Sequence, residues 1–164
     1  MAKEIFLIRH AQADPPDLSQ KDVERKLTSQ GTTDAMRMGN LLNKNGHIPD
    51  LFLCSSAVRT RQTAGLMCEQ LEFDIDKVEF MDDLFEASTR IMLQIVNNVD
   101  SNFHKVFLLA HNPAINYLSE YITGEVIGNI APCGVVHMKL NVASWEEVSQ
   151  NNVDLIRYYD PIEL

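Results

Sequence analysis

Two histidines each follow an apolar run that has the length of a buried strand. Residues 5–8 lead into Arg9 and His10, and residues 106–110 lead into His111. Because the carboxyl ends of parallel strands meet at one edge of an α/β sheet, we expect the two imidazoles to share a crevice. An imidazole can attack phosphorus and a guanidinium matches phosphoryl oxygens, so the pattern favours phosphoryl chemistry.

A third apolar run brings a second arginine towards the same edge. Residues 51–54 are followed by Ser55 and, four positions later, by Arg59. The crevice would then hold two imidazoles and two guanidiniums, a cluster that binds a phosphoryl group and supplies a nucleophile for it. A cysteine phosphatase is disfavoured, because its loop requires five residues between cysteine and arginine and only four separate Cys54 from Arg59.

The hydrophobic periodicity predicts the elements that position these residues. Strands are predicted near residues 4–9, 51–54, 78–81, 105–110 and 133–140, and helices over 29–44, 57–71, 88–99 and 114–122. Thr28 is the expected N-cap of the first helix, and Ser55 or Ser56 that of the second. Alternating strands and helices imply a three-layer α/β/α sandwich with a mostly parallel central sheet.

Three segments outside these elements also carry expectations. Residues 11–26 and 123–132 follow predicted elements near the site, so both are candidate rims or lids. Residues 157–161 are expected to pack on the edge of the sheet.

Length, charge and cysteine content restrict the class of protein. The 164 residues, 45% of them hydrophobic, are expected to form one domain, residues 1–164, with a full core. The formal net charge of −9 argues against nucleic acid and anionic membranes as partners. No run approaches the ~20 apolar residues of a membrane span, and no signal-peptide pattern is present. Three cysteines without metal-ligand spacing indicate reduced thiols, and so a cytoplasmic protein.

Five short motifs, in order and spacing, resemble those of the histidine phosphatase superfamily, whose fold is phosphoglycerate mutase-like. Within that superfamily the resemblance is strongest to the small phosphohistidine phosphatase SixA group, and it extends over nearly the whole chain. The motifs are Arg9-His10-Ala11, residues 25–31 (Arg-Lys-Leu-Thr-Ser-Gln-Gly), residues 55–64 (Ser-Ser-Ala-Val-Arg-Thr-Arg-Gln-Thr-Ala), Leu84-Phe85-Glu86 and His111-Asn112-Pro113.

The resemblance implies a role for five residues. His10 would be the nucleophile that becomes phosphorylated, and its other ring nitrogen should donate to a fixed acceptor. Arg9 and Arg59 would bind the phosphoryl oxygens, and His111 would donate to the same oxygens. Glu86 lies where many members carry a proton donor. No metal or other cofactor is implied, since cationic side chains would neutralise the phosphoryl charge.

The chain also departs from the family pattern. Ala11 replaces a glycine, so this position must accept ordinary backbone angles or the loop must be reshaped. Pro16 stands about where mutase-type members carry a phosphate-binding asparagine, which leaves Gln12 or a backbone N–H as a substitute; Arg25 is a further candidate contact. The chain is too short for the helical insertion that covers the sugar site of phosphoglycerate mutases. The pocket should therefore be shallow and open, which suits a phosphorylated side chain of another protein.

The leading hypothesis is a metal-independent phosphohistidine phosphatase that acts on a phosphohistidine-carrying protein, such as a phosphotransfer domain, and releases phosphate. Imidazole leaves phosphorus far more easily than an alkoxide, so a weak general acid would suffice. A broad small-molecule phosphomonoesterase and a catalytically weak phosphohistidine-binding protein stay open as alternatives. The remaining histidines are interpreted as surface or core residues: His47, His104 and His137.

Overall fold

A six-stranded sheet forms the centre of the fold. In the computed structural model, which describes residues 1–164, its strands are β1 (Glu4–Arg9), β2 (Leu51–Ser55), β3 (Val78–Met81), β4 (Lys105–Ala110), β5 (Val135–Leu140) and β6 (Val153–Tyr159). They are arranged in the order β3-β2-β4-β1-β5-β6. The first four strands of that order pair in parallel, and the last two pairings are antiparallel. The predicted, mostly parallel sheet is confirmed.

Four helices cover the two faces of the sheet: α1 (Ser29–Lys44), α2 (Val58–Leu71), α3 (Thr89–Asn97) and α4 (Ala114–Thr123). Side chains of α1 and α2 share one core with Phe6 and Ile8, and side chains of α3 and α4 share the other with Ile5 and Leu7. Since successive residues of a strand point to opposite faces, β1 contributes to both cores. The three-layer sandwich is therefore confirmed. The helices are all too short or too polar to span a membrane.

The helix boundaries follow the sequence signals, with one exception. Thr28 caps α1 as predicted, because its hydroxyl accepts the N–H of Gly31. The predicted serine cap of α2 is wrong, since the N-cap position is Ala57 and no side chain caps the helix. The Ser55 hydroxyl lies 2.8 Å from the Nε2 atom of His111 and also accepts the N–H of Ala57 over 3.4 Å, so it links the site to the start of α2.

The last strand was only partly foreseen. Residues 157–161 were expected to pack on the sheet edge, and β6 does form that edge, antiparallel to β5. The strand begins earlier, at Val153, and its register shifts between His137 and Met138 of β5. Only Val153 and Tyr159 of its seven residues are buried, so the alternation that marks a half-buried strand is weak.

Parallel pairing of β1 with β4 sets the two site histidines side by side. Arg9 pairs with Ala110 at the ends of these strands, so His10 and His111 leave the sheet at the same level. The strand β2 pairs with the other edge of β4 and ends at Ser55. Three neighbouring strand ends therefore deliver the motif residues to one edge of the sheet, as parallel strands require.

Candidate active site

The two histidines lie in contact at this edge. Their ring centroids are 5.4 Å apart and the rings are tilted by 53°. His10 is only 8% exposed, while His111 is half-buried. Both imidazoles therefore lie where the protein, more than bulk water, determines their protonation.

His10 has a defined tautomer. Its Nδ1 atom lies 2.7 Å from the backbone oxygen of Ala11, and a carbonyl oxygen can only accept, so Nδ1 carries the proton and donates it. The lone pair is then on Nε2, the ring nitrogen that has no hydrogen-bond partner in the protein. The pKa of His10 is lowered to about 4, chiefly by burial and further by the charges of Arg59, Arg9 and Arg25. The ring is therefore neutral and nucleophilic at pH 7.

The loop after His10 is clamped at its backbone. The carbonyl oxygen of Gln12 accepts the N–H of Thr28, at the start of α1, over 3.0 Å. A Cβ atom on Gly31 would lie 2.1 Å from that oxygen, so only glycine permits this close approach of α1. Ala11 does not have a positive φ, which means that the alanine at the family's glycine position costs no backbone strain.

Two arginines lie near His10, each anchored by a backbone carbonyl; Arg59 is buried and Arg9 is half-buried. The Nη1 atom of Arg9 donates to the oxygen of Ile130 over 2.8 Å, and the Nη1 atom of Arg59 donates to the oxygen of Asp22 over 2.8 Å. Their Nε atoms are buried and have no partner in the protein. Burial lowers the pKa of both guanidiniums, which still carry charge at neutral pH.

The carboxylate of Asp22, in a loop, contacts both Arg25 and Arg59, and the sequence analysis did not predict it. Asp22 lies in a 3₁₀ turn (Asp22–Glu24), and its two oxygens bind Arg25 Nε at 2.8 Å and Arg59 Nη2 at 3.2 Å. Partial burial acts to raise the pKa of Asp22, but the nearby guanidiniums outweigh it and lower that pKa. The spacing of three residues between Asp22 and Arg25 could have suggested their contact. Nothing local in the sequence points to Arg59.

His111 is held by Ser55 and by an aromatic ring. Its Nε2 atom lies 2.8 Å from the hydroxyl oxygen of Ser55, while Nδ1 is buried without a partner. The ring of Phe85 meets His111 edge-on at 5.6 Å, and the Arg59 guanidinium lies 5.7 Å from the same ring. The pKa of His111 is lowered to about 3 by burial first and then by the charges of Arg59 and His10. Phe85 belongs to the Leu84-Phe85-Glu86 motif, but the sequence does not predict its contacts with His111 and Arg59.

Glu86 is exposed and lines, together with His111, a groove of about 430 Å³ that continues to Pro113 and Tyr117. His10 and Arg59 are only 8% and 5% exposed, and the loop that carries Asp22 folds back onto Arg59. The shallow, open pocket stays a prediction.

The other two predicted phosphate contacts are Arg25 and Gln12, and their surroundings differ. Arg25 lies close enough to lower the pKa of both His10 and His111 through its charge, although it ranks after burial in each case. The side-chain oxygen of Gln12 is tied to the hydroxyl of Thr28 at 2.7 Å, so only its amide nitrogen is available. The cysteine alternative is wrong, because burial raises the pKa of the Cys54 thiol and keeps it protonated.

The chain offers no cluster of three or more histidine, cysteine or carboxylate side chains that could hold a metal ion. The cationic groups of the site are instead guanidiniums, which bind oxyanions rather than metals. What the arrangement can do chemically is accept a phosphoryl group on a neutral imidazole that three arginines surround.

Comparisons with known proteins agree with this geometry. The family model of the histidine phosphatase superfamily (branch 1) matches residues 5–92. An uncharacterized chloroplastic protein of Arabidopsis thaliana is 26% identical over 155 residues, which are 90% of this chain and 71% of that protein.

Solved structures with the same fold include two SixA proteins. The protein from Agrobacterium tumefaciens designated phosphohistidine phosphatase SixA superposes with a TM-score of 0.84 at 22% identity, over 98% of this chain and 99% of that one. The protein histidine phosphatase SixA complexed with tungstate superposes with a TM-score of 0.84 at 19% identity, over 98% of each chain. At these identities the two structures establish a shared fold.

Proposed function

Since the chain belongs to the histidine phosphatase superfamily (branch 1), we propose that it hydrolyses phosphohistidine on a partner protein through a covalent phospho-His10 intermediate. The observation that carries the proposal is the state of His10. Its ring is neutral, its proton is held on Nδ1 by the Ala11 carbonyl, and its Nε2 lone pair lies among cationic side chains.

In the first step the Nε2 atom of His10 attacks phosphorus. A bond forms between Nε2 and phosphorus and the bond from phosphorus to the substrate imidazole breaks. The substrate imidazole takes a proton from solvent water and leaves as a neutral ring. In the second step water attacks the phosphorus of phospho-His10, the N–P bond breaks, inorganic phosphate is released and the lone pair returns to Nε2. Arg9 and Arg59 bind the phosphoryl oxygens in both steps, and His111 stabilises the charge that develops on them.

The position of Glu86 favours phosphohistidine over an alkyl phosphate. An exposed carboxyl is a poor general acid, because efficient acids are held against the leaving group. Imidazole departs with little help, whereas an alkoxide requires a proton. The groove beside His111, with a volume of about 430 Å³, is a candidate place for the residues next to a phosphorylated side chain.

A broad small-molecule phosphomonoesterase is the second candidate. The observation in its favour is that Glu86 and His111 line the same groove, so a carboxyl could reach a leaving group there. A protein that only binds phosphohistidine is less consistent with a neutral, oriented His10. We also propose that the reaction needs no metal, as the guanidiniums neutralise the phosphoryl charge.

One set of assays tests the proposal. The purified chain is given a phosphohistidine-carrying protein and a panel of phosphomonoesters, each with and without a chelator. We expect kcat/KM to be highest for the phosphoprotein, insensitive to the chelator, and inhibited by tungstate. A clear preference for one of the phosphomonoesters would contradict the substrate assignment, and activity restored by a divalent ion would contradict the metal-free mechanism.

A further inference from the structure

A buried threonine on α2 touches the backbone of the nucleophile loop. Thr63 is 0% exposed and lies one helical turn after Arg59. Its hydroxyl donates to the backbone oxygen of Arg59 over 2.8 Å and accepts the N–H of Ala11 over 3.1 Å. The single hydroxyl proton is used in the first bond, so the second bond occupies a lone pair and both roles of the group are satisfied.

We propose that Thr63 is a positioning residue that fixes the tautomer of His10. Ala11 carries the carbonyl that accepts the Nδ1 proton of His10, and the N–H of that same residue is held by Thr63. Without this bond the φ and ψ torsions of Ala11 could change, and its carbonyl oxygen would move away from the Nδ1 atom of the His10 ring. The proton would then be free to move to Nε2, which would remove the nucleophilic lone pair.

The other anchors of the loop do not replace this bond. The carbonyl oxygens of Arg9 and His10 both accept the N–H of Cys133, and the carbonyl of Gln12 accepts the N–H of Thr28. The bond to the His10 carbonyl restrains, from its other edge, the peptide plane that carries the Ala11 N–H, and the bond to Gln12 restrains the residue after Ala11. Thr63 alone holds the N–H of the residue that carries the acceptor.

The same hydroxyl couples the nucleophile to an arginine. Because Thr63 donates to the backbone of Arg59, one side chain sets the distance between the His10 loop and the first turn of α2. This inference rests on the proposed function for its catalytic meaning. The tautomer of His10 is measured without any substrate, so the inference about Thr63 and the proposed function can fail separately.

The test compares two isosteric substitutions on the same helix. Thr63→Val removes the hydroxyl and keeps the shape. Thr60→Val is the matched control, since Thr60 is also 0% exposed and its hydroxyl bonds the carbonyls of Ser55 and Ala57 instead of the nucleophile loop. Ring ¹⁵N chemical shifts of His10 report the tautomer in each folded variant, and rapid-quench phosphorylation reports the rate at which His10 accepts a phosphoryl group.

We expect the wild type and Thr60→Val to show the Nδ1–H tautomer, and Thr63→Val to show a mixture with Nε2–H. Phosphorylation of His10 should fall at least tenfold in Thr63→Val with a smaller change in KM, and Thr63→Ser should restore both readings. If Thr63→Val does not fold, Thr63→Cys, whose thiol is a weak acceptor, takes its place. A folded Thr63 variant with the wild-type tautomer would overturn the inference, whatever its activity.

Discussion

The molecule holds two pairs of histidines, each with one buried and one half-buried ring: one pair lies beyond the carboxyl end of β1 and the other beside its first half. The first pair, His10 and His111, has ring centroids 5.4 Å apart; in the second, His47 and His137, they are 4.7 Å apart. Burial is the largest cause of a lowered pKa in all four rings. Closeness and neutrality of two imidazoles are therefore common to both regions.

The difference lies in what surrounds each pair. The Nε2 atom of His137 lies 2.7 Å from a carboxylate oxygen of Glu4, its ring stacks on Phe6 at 4.2 Å, and the Nε2 atom of His47 lies 3.2 Å from the hydroxyl of Tyr159. These contacts engage the Nε2 atoms and hold the two rings in place, in agreement with the interpretation of both histidines as surface or core residues. The first pair has guanidiniums around it and no carboxylate bonded to either ring, and His10 keeps its Nε2 atom free. A phosphoryl site thus needs the cations and the free lone pair, not the histidine pair alone.

The largest contrast is expected from removing one imidazole of each pair. His10→Ala should lower kcat/KM for a phosphohistidine protein by several orders of magnitude, because no other group can take the phosphoryl covalently. His137→Ala should lower the melting temperature and leave kcat/KM per folded molecule within roughly threefold of wild type. Steady-state assays on both folded variants check this. Comparable losses in the two variants would remove the distinction between the pairs.

The next prediction tests whether the geometry of the Arg59 guanidinium matters as well as its charge. Arg59→Lys should lower kcat/KM by roughly a hundredfold, nearly as much as Arg59→Ala, since an ammonium cannot bond Asp22 and a phosphoryl oxygen in one plane. Arg157→Lys is the control, because Arg157 is exposed and its ion pair with Glu163 is on the surface. Tungstate inhibition should weaken only in the Arg59 variants. Unchanged tungstate affinity in Arg59→Lys would place Arg59 outside the phosphoryl site.

A smaller effect is expected at the carboxyl beside the first pair. Glu86→Gln should reduce hydrolysis of an alkyl phosphate by roughly tenfold and that of phosphohistidine by less than roughly threefold, because general acids matter most for basic leaving groups. The measurement is kcat/KM for both substrates in both proteins. A ratio of the two effects near one would mean that Glu86 has no acid role, and would make Asp82 and Asp83 the next candidates.

A substitution at Asp22 tests how much its negative charge weakens the binding of an anion in the site. Asp22→Asn keeps an oxygen acceptor for Arg59 and removes one negative charge, so tungstate should inhibit roughly two- to fivefold more tightly. Asp22→Ala also removes the contact and should lose part of that gain. Inhibition constants for the three proteins decide the matter. Weaker binding in Asp22→Asn would mean that the charge is needed to hold Arg59.

The smallest effect shows what the two pairs share. A histidine whose pKa is lowered by folding binds its proton more readily in the unfolded chain, so stability falls as the pH drops from about 6.5 towards about 4 for His10. Between pH 7 and pH 5 His10 lowers the free energy of unfolding by up to about 2 kcal/mol, and His137 acts in the same direction. Urea denaturation at the two pH values should show that His10→Ala, and also His137→Ala, loses less free energy of unfolding between pH 7 and pH 5 than the wild type does. A loss equal to that of the wild type in His10→Ala would contradict a depressed pKa of His10.

The sequence predicted the four parallel strands and all four helices because their apolar periodicity is strong. It also predicted which side chains reach the edge, since strand ends and parallel pairing fix the positions of His10, His111 and Arg59. The edge strand β6 was harder, as only two of its residues are buried and a register shift interrupts its pairing.

The fine structure of the site could not be read from residue types. The acceptor for His10 is a backbone oxygen, and every residue has one, so nothing in the sequence marks Ala11. The contact of Asp22 with Arg59 joins residues that are 37 positions apart, through a loop whose course depends on the whole fold. The same loop places the backbone oxygen and the carboxylate of Asp22 on Arg59, and chain length alone does not indicate this.

The most direct test of the account is to trap the phosphorylated enzyme. The wild-type chain is mixed with a radiolabelled phosphohistidine protein, or with phosphoramidate as a small donor, quenched in alkali within milliseconds, digested and analysed by mass spectrometry. The account predicts label on the peptide that contains His10, with fragments that place it on the His10 ring, and none in His10→Ala. Phosphate release at the full rate without label on His10, or label on His111 instead, would contradict it.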